Sequence, residues 1–437
     1  MNARERMLAS LAHRQTDRVP TFELAFGTRL ATRVLGRPAF FPRSGGSALR
    51  DILLANARGT QARRDVIRAG TLTQIELYTA LGYDATCIIP TEFLQTVFES
   101  FGLFGTNYFL DVTIEELKPS TWRVSAPGGF WSIHAYDERA DVFYAVRDSV
   151  SEGGIPALRR YVDELSSRST AINAHVADAL ESVRIAVQTP EVRGGQLFFL
   201  GHCDICMPTA DAFLPVFLEA MALEPVLVER YFQVTTDGLM PILSAQIDLG
   251  VDGIVGANDW CFKTGPMMSP SMFRRFLVPS LKRIVDAVHA RGLPFVKHLD
   301  GNTREILPIL VDEVGIDAYH SVEPSAGMDI RELKRLYGGR ISLWGNLDCG
   351  DLLVHHPPED VARAADALIR DLSPGGGYVL SSSNSIHDGV PPENLMAMLS
   401  AAQGRPAVAG LAALAAKAGE VGQDRAAVAG HIDEGRQ

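Results

Sequence analysis

The sequence predicts an α/β protein of the (β/α)8 TIM-barrel class, and three observations carry that prediction. From about residue 196 onward, short apolar runs alternate with amphipathic segments of helical length in six successive strand-then-helix units. Polar residues are concentrated just after each apolar run, where a barrel gathers them on its C-terminal rim. Helix-start signals with proline in the first turn, Ser269-Pro270 and Pro391-Pro392-Glu393, fall where strands should hand over to helices.

In chain order, a helix is expected over about 3–13, then the extended stretch "VPTFEL" and a helix–strand pair that ends in "GYDATCIIPTEF". Residues 100–150 hold several short β-like runs divided by Pro and Gly, which predict a β-rich insertion over the barrel mouth. The six units follow. "QLFFLG" precedes a helical stretch at 209–249, "DGIVGA" one near 270–291, and "PFVKHL" one at 303–314. "AYHSV" precedes 329–337, "ISLWGN" precedes 358–371, and "GYVLSS" precedes 391–403. These readings make 1–403 a single barrel domain with the insertion, and 404–437 an Ala- and Gly-rich tail that is only partly ordered.

Bulk properties exclude some functions. A formal net charge of −11 and a pI near 5.5, without a basic cluster, speak against a nucleic-acid surface. The first twenty residues carry scattered charge and no signal-like apolar core, and no uncharged run is long enough to span a bilayer. Five cysteines, few and odd in number, suit reduced thiols, so a cytoplasmic protein is expected.

The strand ends carry the candidate chemistry. His298 and Asp300, in "KHLDGN", are two residues apart on a strand end and share a direction, which suits one metal ion or one substrate atom. The plainer reading is that Asp300 caps a helix starting near Thr303. Asp259 and Glu323 end other strands and can act as general acid, ligand or loop anchor. His202 opens an H-C-x-x-C run, but one such pair is a weak metal signal, and substrate contact suits His202 better. Asp348 and Asp329 read as turn and helix-start residues. "SPGGGY" enters a strand and so is no phosphate loop, and no G-x-S-x-G elbow is present.

Several stretches together, "ARERMLASLAHRQTDRVP", "GPMMSPSMFRRFLVPSLKRIVDAVHARG", "HLDGN", "VEPSAGMDIRELKRLYGGRISLWGNLD" and "GYVLSSSNSIHDGVPPENLMAM", resemble the uroporphyrinogen decarboxylase superfamily. The resemblance covers most of residues 1–403 and implies a barrel with a cleft at its C-terminal face. The decarboxylases' M-R-Q-A-G-R-Y motif is absent, Thr91 and Glu92 stand near the place of their aspartate, and Asn384 falls on their late histidine. Porphyrinogen decarboxylation is therefore not expected. Members that methylate a thiol bind zinc through H-x-C and a later cysteine; here Asp300 and Asn384 replace both cysteines, which argues against a thiol acceptor.

The resemblance then points to the branch that demethylates a small substrate, such as a methoxylated aromatic, and passes the methyl group to the cobalt of a separate corrinoid protein. It implies cobalamin carried by that partner, zinc as a further cofactor, and a chain that can form a homodimer as its relatives do. His298, Asp300 and Asp259 are the expected catalytic residues, with His298 and Asp300 as metal ligands. Glu92, His202, Glu323 and Asn384 are expected to line the substrate pocket. Two rival readings are a cobalamin-independent decarboxylase or lyase of a small acid, and a non-catalytic binding protein.

Overall fold

The computed structural model describes residues 1–39, 46–87, 113–139, 142–167, 174–209 and 211–404. In chain order its strands are β1 (Ala85–Cys87), β2 (Thr113–Lys118), β3 (Thr121–Ala126), β4 (Phe130–Asp137), β5 (Val142–Asp148), β6 (Phe198–His202) and β7 (Gly253–Ala257). They continue with β8 (Cys261–Phe262), β9 (Gly265–Pro266), β10 (Phe295–Leu299), β11 (Ala318–Ser321), β12 (Ser342–Leu347) and β13 (Tyr378–Ser382). Seven of them form one curled sheet in the order β1-β6-β7-β10-β11-β12-β13, and every pairing is parallel.

This order is what strand-then-helix units dictate, because each crossover helix returns the chain to lay the next strand beside the last. The strands are buried along almost their whole length, which is why they read as continuous apolar runs. Alternate residues divide between two cores. Phe198, Leu200, Val255, Val296, Ala318 and Val379 pack together inside the curl, while Phe199, Ile254, Phe295, Tyr319 and Leu343 face the helices.

The predicted extended stretch near the N-terminus lies between the two edges of the sheet. Thr21 bridges Leu380 of β13 and Phe22 bridges Ala85 of β1, both in parallel sense, through isolated bridges instead of a ladder. A buried ionic cluster anchors this stretch. Asp84, directly before β1, accepts from Arg6 at 2.5 Å, from Arg18 at 2.7 and 2.9 Å, and from the Thr21 N–H at 2.9 Å.

The β-rich insertion is present as an antiparallel sheet of four strands, β2-β3-β4-β5, over residues 113–148. Residues 100–112 of that prediction, the tail from 405 on, and Glu92 lie outside the described residues. The long helical stretches divide where proline or a turn intervenes: 209–249 becomes Leu214–Leu223 and Pro225–Leu249, and 270–291 becomes Pro270–Phe276 and Val278–His289. The stretch 303–314 is a turn followed by Leu307–Ile309 and a π-helical segment, Leu310–Val314. Ser269 and Asp329 cap their helices as expected, and Asp348 holds a turn through the N–H groups of Gly350 and Asp351. Among the described residues, no helix is long and apolar enough to cross a membrane.

Candidate active site

The parallel strands end together, so the residues just past β7, β10, β11 and β13 meet at one rim. Asp259, His298 and Asp300 offer ligand atoms that all lie within 4.8 Å of one another. Nε2 of His298 stands 3.6 Å from Oδ1 of Asp300. The carboxylate of Asp259 accepts the backbone N–H of Asp300 at 3.0 Å, which ties the loop after β7 to the end of β10. Among the described residues no cysteine belongs to this group, so its donors are hard oxygens and one imidazole.

Asp300 does not cap a helix. Its Oδ1 accepts from the Ser321 hydroxyl at 2.8 Å and its Oδ2 accepts from the Asn384 amide, so the side chain is aimed across the rim instead of along the chain. Gly301 explains the sharp departure after it. Its φ is +81°, and a Cβ there would lie 2.7 Å from the Phe262 carbonyl and 2.8 Å from that of Cys261, so only glycine lets the β8 segment press against the rim. The Gly301 N–H donates to Oε2 of Glu323 at 2.9 Å.

The acids crowd each other. Burial, then the charges of Asp259 and Glu323, push the Asp300 carboxyl up to about 8, while the Ser321 hydrogen bond and Lys297 oppose the rise. Lys297 is fully buried behind the site, where it donates to Asp204 at 2.5 Å and to the Asn258 carbonyl at 3.0 Å and lies 3.9 Å from the centre of the Trp260 ring. Its charge is thus committed to Asp204. An imidazole and two carboxylates with surplus negative charge form a donor set that fits a divalent cation such as zinc, held by Asp259, His298 and Asp300.

Of the residues expected at the site, His298, Asp300, Asp259, Glu323 and Asn384 come together. His202 is placed otherwise. Its ring is buried, Nε2 accepts the Ala257 N–H at 3.2 Å, and its backbone exchanges two hydrogen bonds with the Gln246 amide, so it joins β6 to β7. Cys203 and Cys206 beside it are buried, and burial pushes the Cys203 thiol up, as for a core residue and not a reactive one.

His320, which sequence reasoning passed over, also lies with these residues, as do Ser321 and Ser381 of the polar strand ends. His320 lies opposite His298 in the β10–β11 register, and their Nδ1 atoms are 2.7 Å apart. His320 Nε2 is 3.0 Å from the Ser381 hydroxyl. Ser321 orients Asp300, as described. The signal was available: "FVKHL" and "AYHSV" place a histidine at matching positions near two neighbouring strand ends.

Residues 213–405 match the family model "Uroporphyrinogen decarboxylase (URO-D)". The match covers rather less than half of the chain, its C-terminal part. A uroporphyrinogen decarboxylase of Azoarcus sp. is 29% identical over 40% of this chain and 47% of its own length. One from Coxiella burnetii is 26% identical over 53% of this chain and 64% of its own. The matches thus span about half to two thirds of these relatives. A solved structure of a methyltransferase from Methanosarcina mazei matches 92% of this chain and 99% of its own, with a TM-score of 0.59 and 20% identity, a likeness of fold.

Proposed function

We propose that this protein is a methyltransferase of the uroporphyrinogen decarboxylase superfamily that demethylates a small methylated compound, best a methoxylated aromatic, and delivers the methyl group to the cobalt of a separate corrinoid protein. The eight-stranded barrel would be closed by the segment around Thr21 and Phe22. One observation carries the reading: Asp259, His298 and Asp300 converge on the rim as a thiol-free donor set. Thiolate ligands suit the activation of a sulfur acceptor, whereas oxygen and imidazole donors suit charge that develops on an ether oxygen. A bound zinc ion would supply Lewis acidity at that oxygen.

The chain's own residues have definable tasks. Asp300, pushed up to about 8, holds a proton at neutral pH when no cation is present and can supply it to a departing oxygen. Ser321 and Asn384 fix the two carboxyl oxygens of Asp300, so that its orientation is set before substrate arrives. Glu323 holds the Gly301 turn and adds negative charge to the rim. Glu92 and His202 remain proposed pocket residues, His202 through its place beneath the rim.

The curated relatives are named as decarboxylases, which favours decarboxylation of a small acid as the second reading. Both are tested by measuring bound metals in wild type and His298→Ala by mass spectrometry, then assaying methyl transfer from methoxylated aromatics to reduced cobalamin and decarboxylation of uroporphyrinogen. Near-stoichiometric zinc and methyl transfer, both lost in His298→Ala, are the expected results. Decarboxylation without dependence on cobalamin would overturn the proposal.

A further inference from the structure

We infer that Lys297 is a positioning residue: from behind the rim it holds residues 258–260, so that the Asp259 carboxylate is aimed at His298 and Asp300. The inference rests on the reading of Asp259, His298 and Asp300 as a cation site and adds what keeps one arm of it in place. Burial alternates along the stretch "NDW". Asn258 and Trp260 are buried, and Asp259 between them is half-buried, with its carboxylate on the Asp300 N–H. Where that carboxylate points thus depends on how its two neighbours are fixed.

Lys297 fixes both. It stands opposite Gly256 in the β7–β10 register, and its ammonium reaches along the loop that follows β7. It donates to the Asn258 carbonyl at 3.0 Å and to the Gly256 carbonyl at 3.5 Å, and it lies 3.9 Å from the centre of the Trp260 ring. Trp260 in turn donates its indole N–H to Oδ1 of Asn258 at 2.6 Å, and the Asn258 amide donates to the Met207 carbonyl at 3.2 Å. The backbone before Asp259 and the ring after it are therefore held by one cation. Oδ2 of Asp204, 2.5 Å away, completes the set, so each of the three ammonium protons has an acceptor. Gly256 makes room for that acid, because a Cβ there would lie 2.9 Å from the same oxygen.

The energetics agree. Both side chains of the Lys297–Asp204 pair are fully buried, and such a pair adds little net stability over an apolar pair of similar volume. What it adds here is direction, at the base of a site residue. The charge itself does not favour a bound cation, since a positive group behind the rim repels one. The two roles therefore differ in sign: as a bare charge Lys297 weakens cation binding, and as a brace it strengthens it.

Lys297→Met alone strands Asp204 as a buried acid, so the test uses full-length Lys297→Met/Asp204→Leu, which removes both charges and leaves the net charge unchanged. Its urea midpoint should stay close to that of wild type. In metal-free protein, the Asp300 N–H that Asp259 accepts should exchange with solvent about 10-fold faster, while amides of β13 keep their rates. In Asp259→Ala protein, where that acceptor is already gone, the same pair of substitutions should change the rate by less than about 2-fold. Zinc affinity, titrated against a competing chelator, should fall about 10-fold. Trp260→Phe keeps a ring beneath the ammonium but drops the N–H to Asn258; it should show the same changes in smaller size, and it carries the test if the double variant does not fold. An Asp300 N–H that exchanges as in wild type, or that speeds up equally in Asp259→Ala protein, overturns the inference, as does a zinc affinity that holds or rises. If wild type binds no zinc while Asp300 exchange responds as expected, the brace stands and the cation reading falls.

Discussion

Clustered acids stand at both ends of the parallel sheet, buried at one and half-buried at the other, and the two ends treat them in opposite ways. At the entrance to β1, Asp84 is met by two guanidinium groups, Arg6 and Arg18, and by the N–H and hydroxyl of Thr21. At the opposite rim, Asp259, Asp300 and Glu323 face one another. The nearest cations there are Lys297, committed to Asp204, and the exposed Lys263, 3.6 Å from Glu323. The first arrangement is closed and ties the N-terminal helix and the bridging segment to the sheet. The second is left open for something positively charged or for a proton, which is how a site differs from a staple.

The strongest way to break this contrast is to remove the staple. Asp84→Ala leaves Arg6, whose side chain is only 7% exposed, without its buried partner, and should cost about 3–5 kcal/mol of stability in urea titration. Zinc bound per folded molecule should not change. A loss below about 1 kcal/mol would show that the cluster does not anchor the segment between β13 and β1.

At the rim the sign reverses. The Asp300 carboxyl titrates near 8 in the folded chain and near 4 when unfolded. Between those values the folded state keeps a proton that the unfolded state has released, so metal-free stability falls as pH rises from about 4 to about 8 and is level above. Asp300→Asn cannot ionise. It should match wild type near pH 4 and exceed it at pH 9 by on the order of 1–2 kcal/mol, the full shift being discounted for the residual exposure of the group. In wild type, cation binding must displace that proton, so zinc affinity should rise with pH toward 8. Asp300→Asn should lose zinc at every pH. A variant less stable than wild type at pH 9 would mean that Asp300 is itself a structural acid.

How much of this was legible in the sequence follows the same division. Strand order and site location were readable because each unit writes its period into the chain and ends in polar residues, as "FVKHLDGN" does. Asp300 and Asn384 were found because they sit past the strand ends. His320 was missed because it lies within a buried strand, where one polar residue among apolar neighbours looks like core; its partnership with His298 depends on register between strands, which a linear pattern does not contain. The role of His202 between β6 and β7 was hidden for a related reason: its ring accepts the Ala257 N–H of the neighbouring strand, a contact set by register.

The smallest expected effect sharpens the comparison most finely, because it separates charge from structure at one residue. Glu323 contributes to Asp300 both a negative charge and a fixed turn, through the Gly301 N–H. Glu323→Gln removes the charge and keeps an oxygen that can accept that N–H. Glu323 is also partly exposed, at 16% of its side chain, so solvent screens it. The pH at which Asp300 titrates should therefore fall by about 0.5, read from the carboxyl carbon shift in NMR, with urea stability changed by less than about 0.5 kcal/mol. A larger fall in titration pH would make Glu323 a full electrostatic partner of the rim. A loss of stability with no change in titration would reduce it to the anchor of the Gly301 turn, leaving Asp259 and burial alone to keep Asp300 protonated.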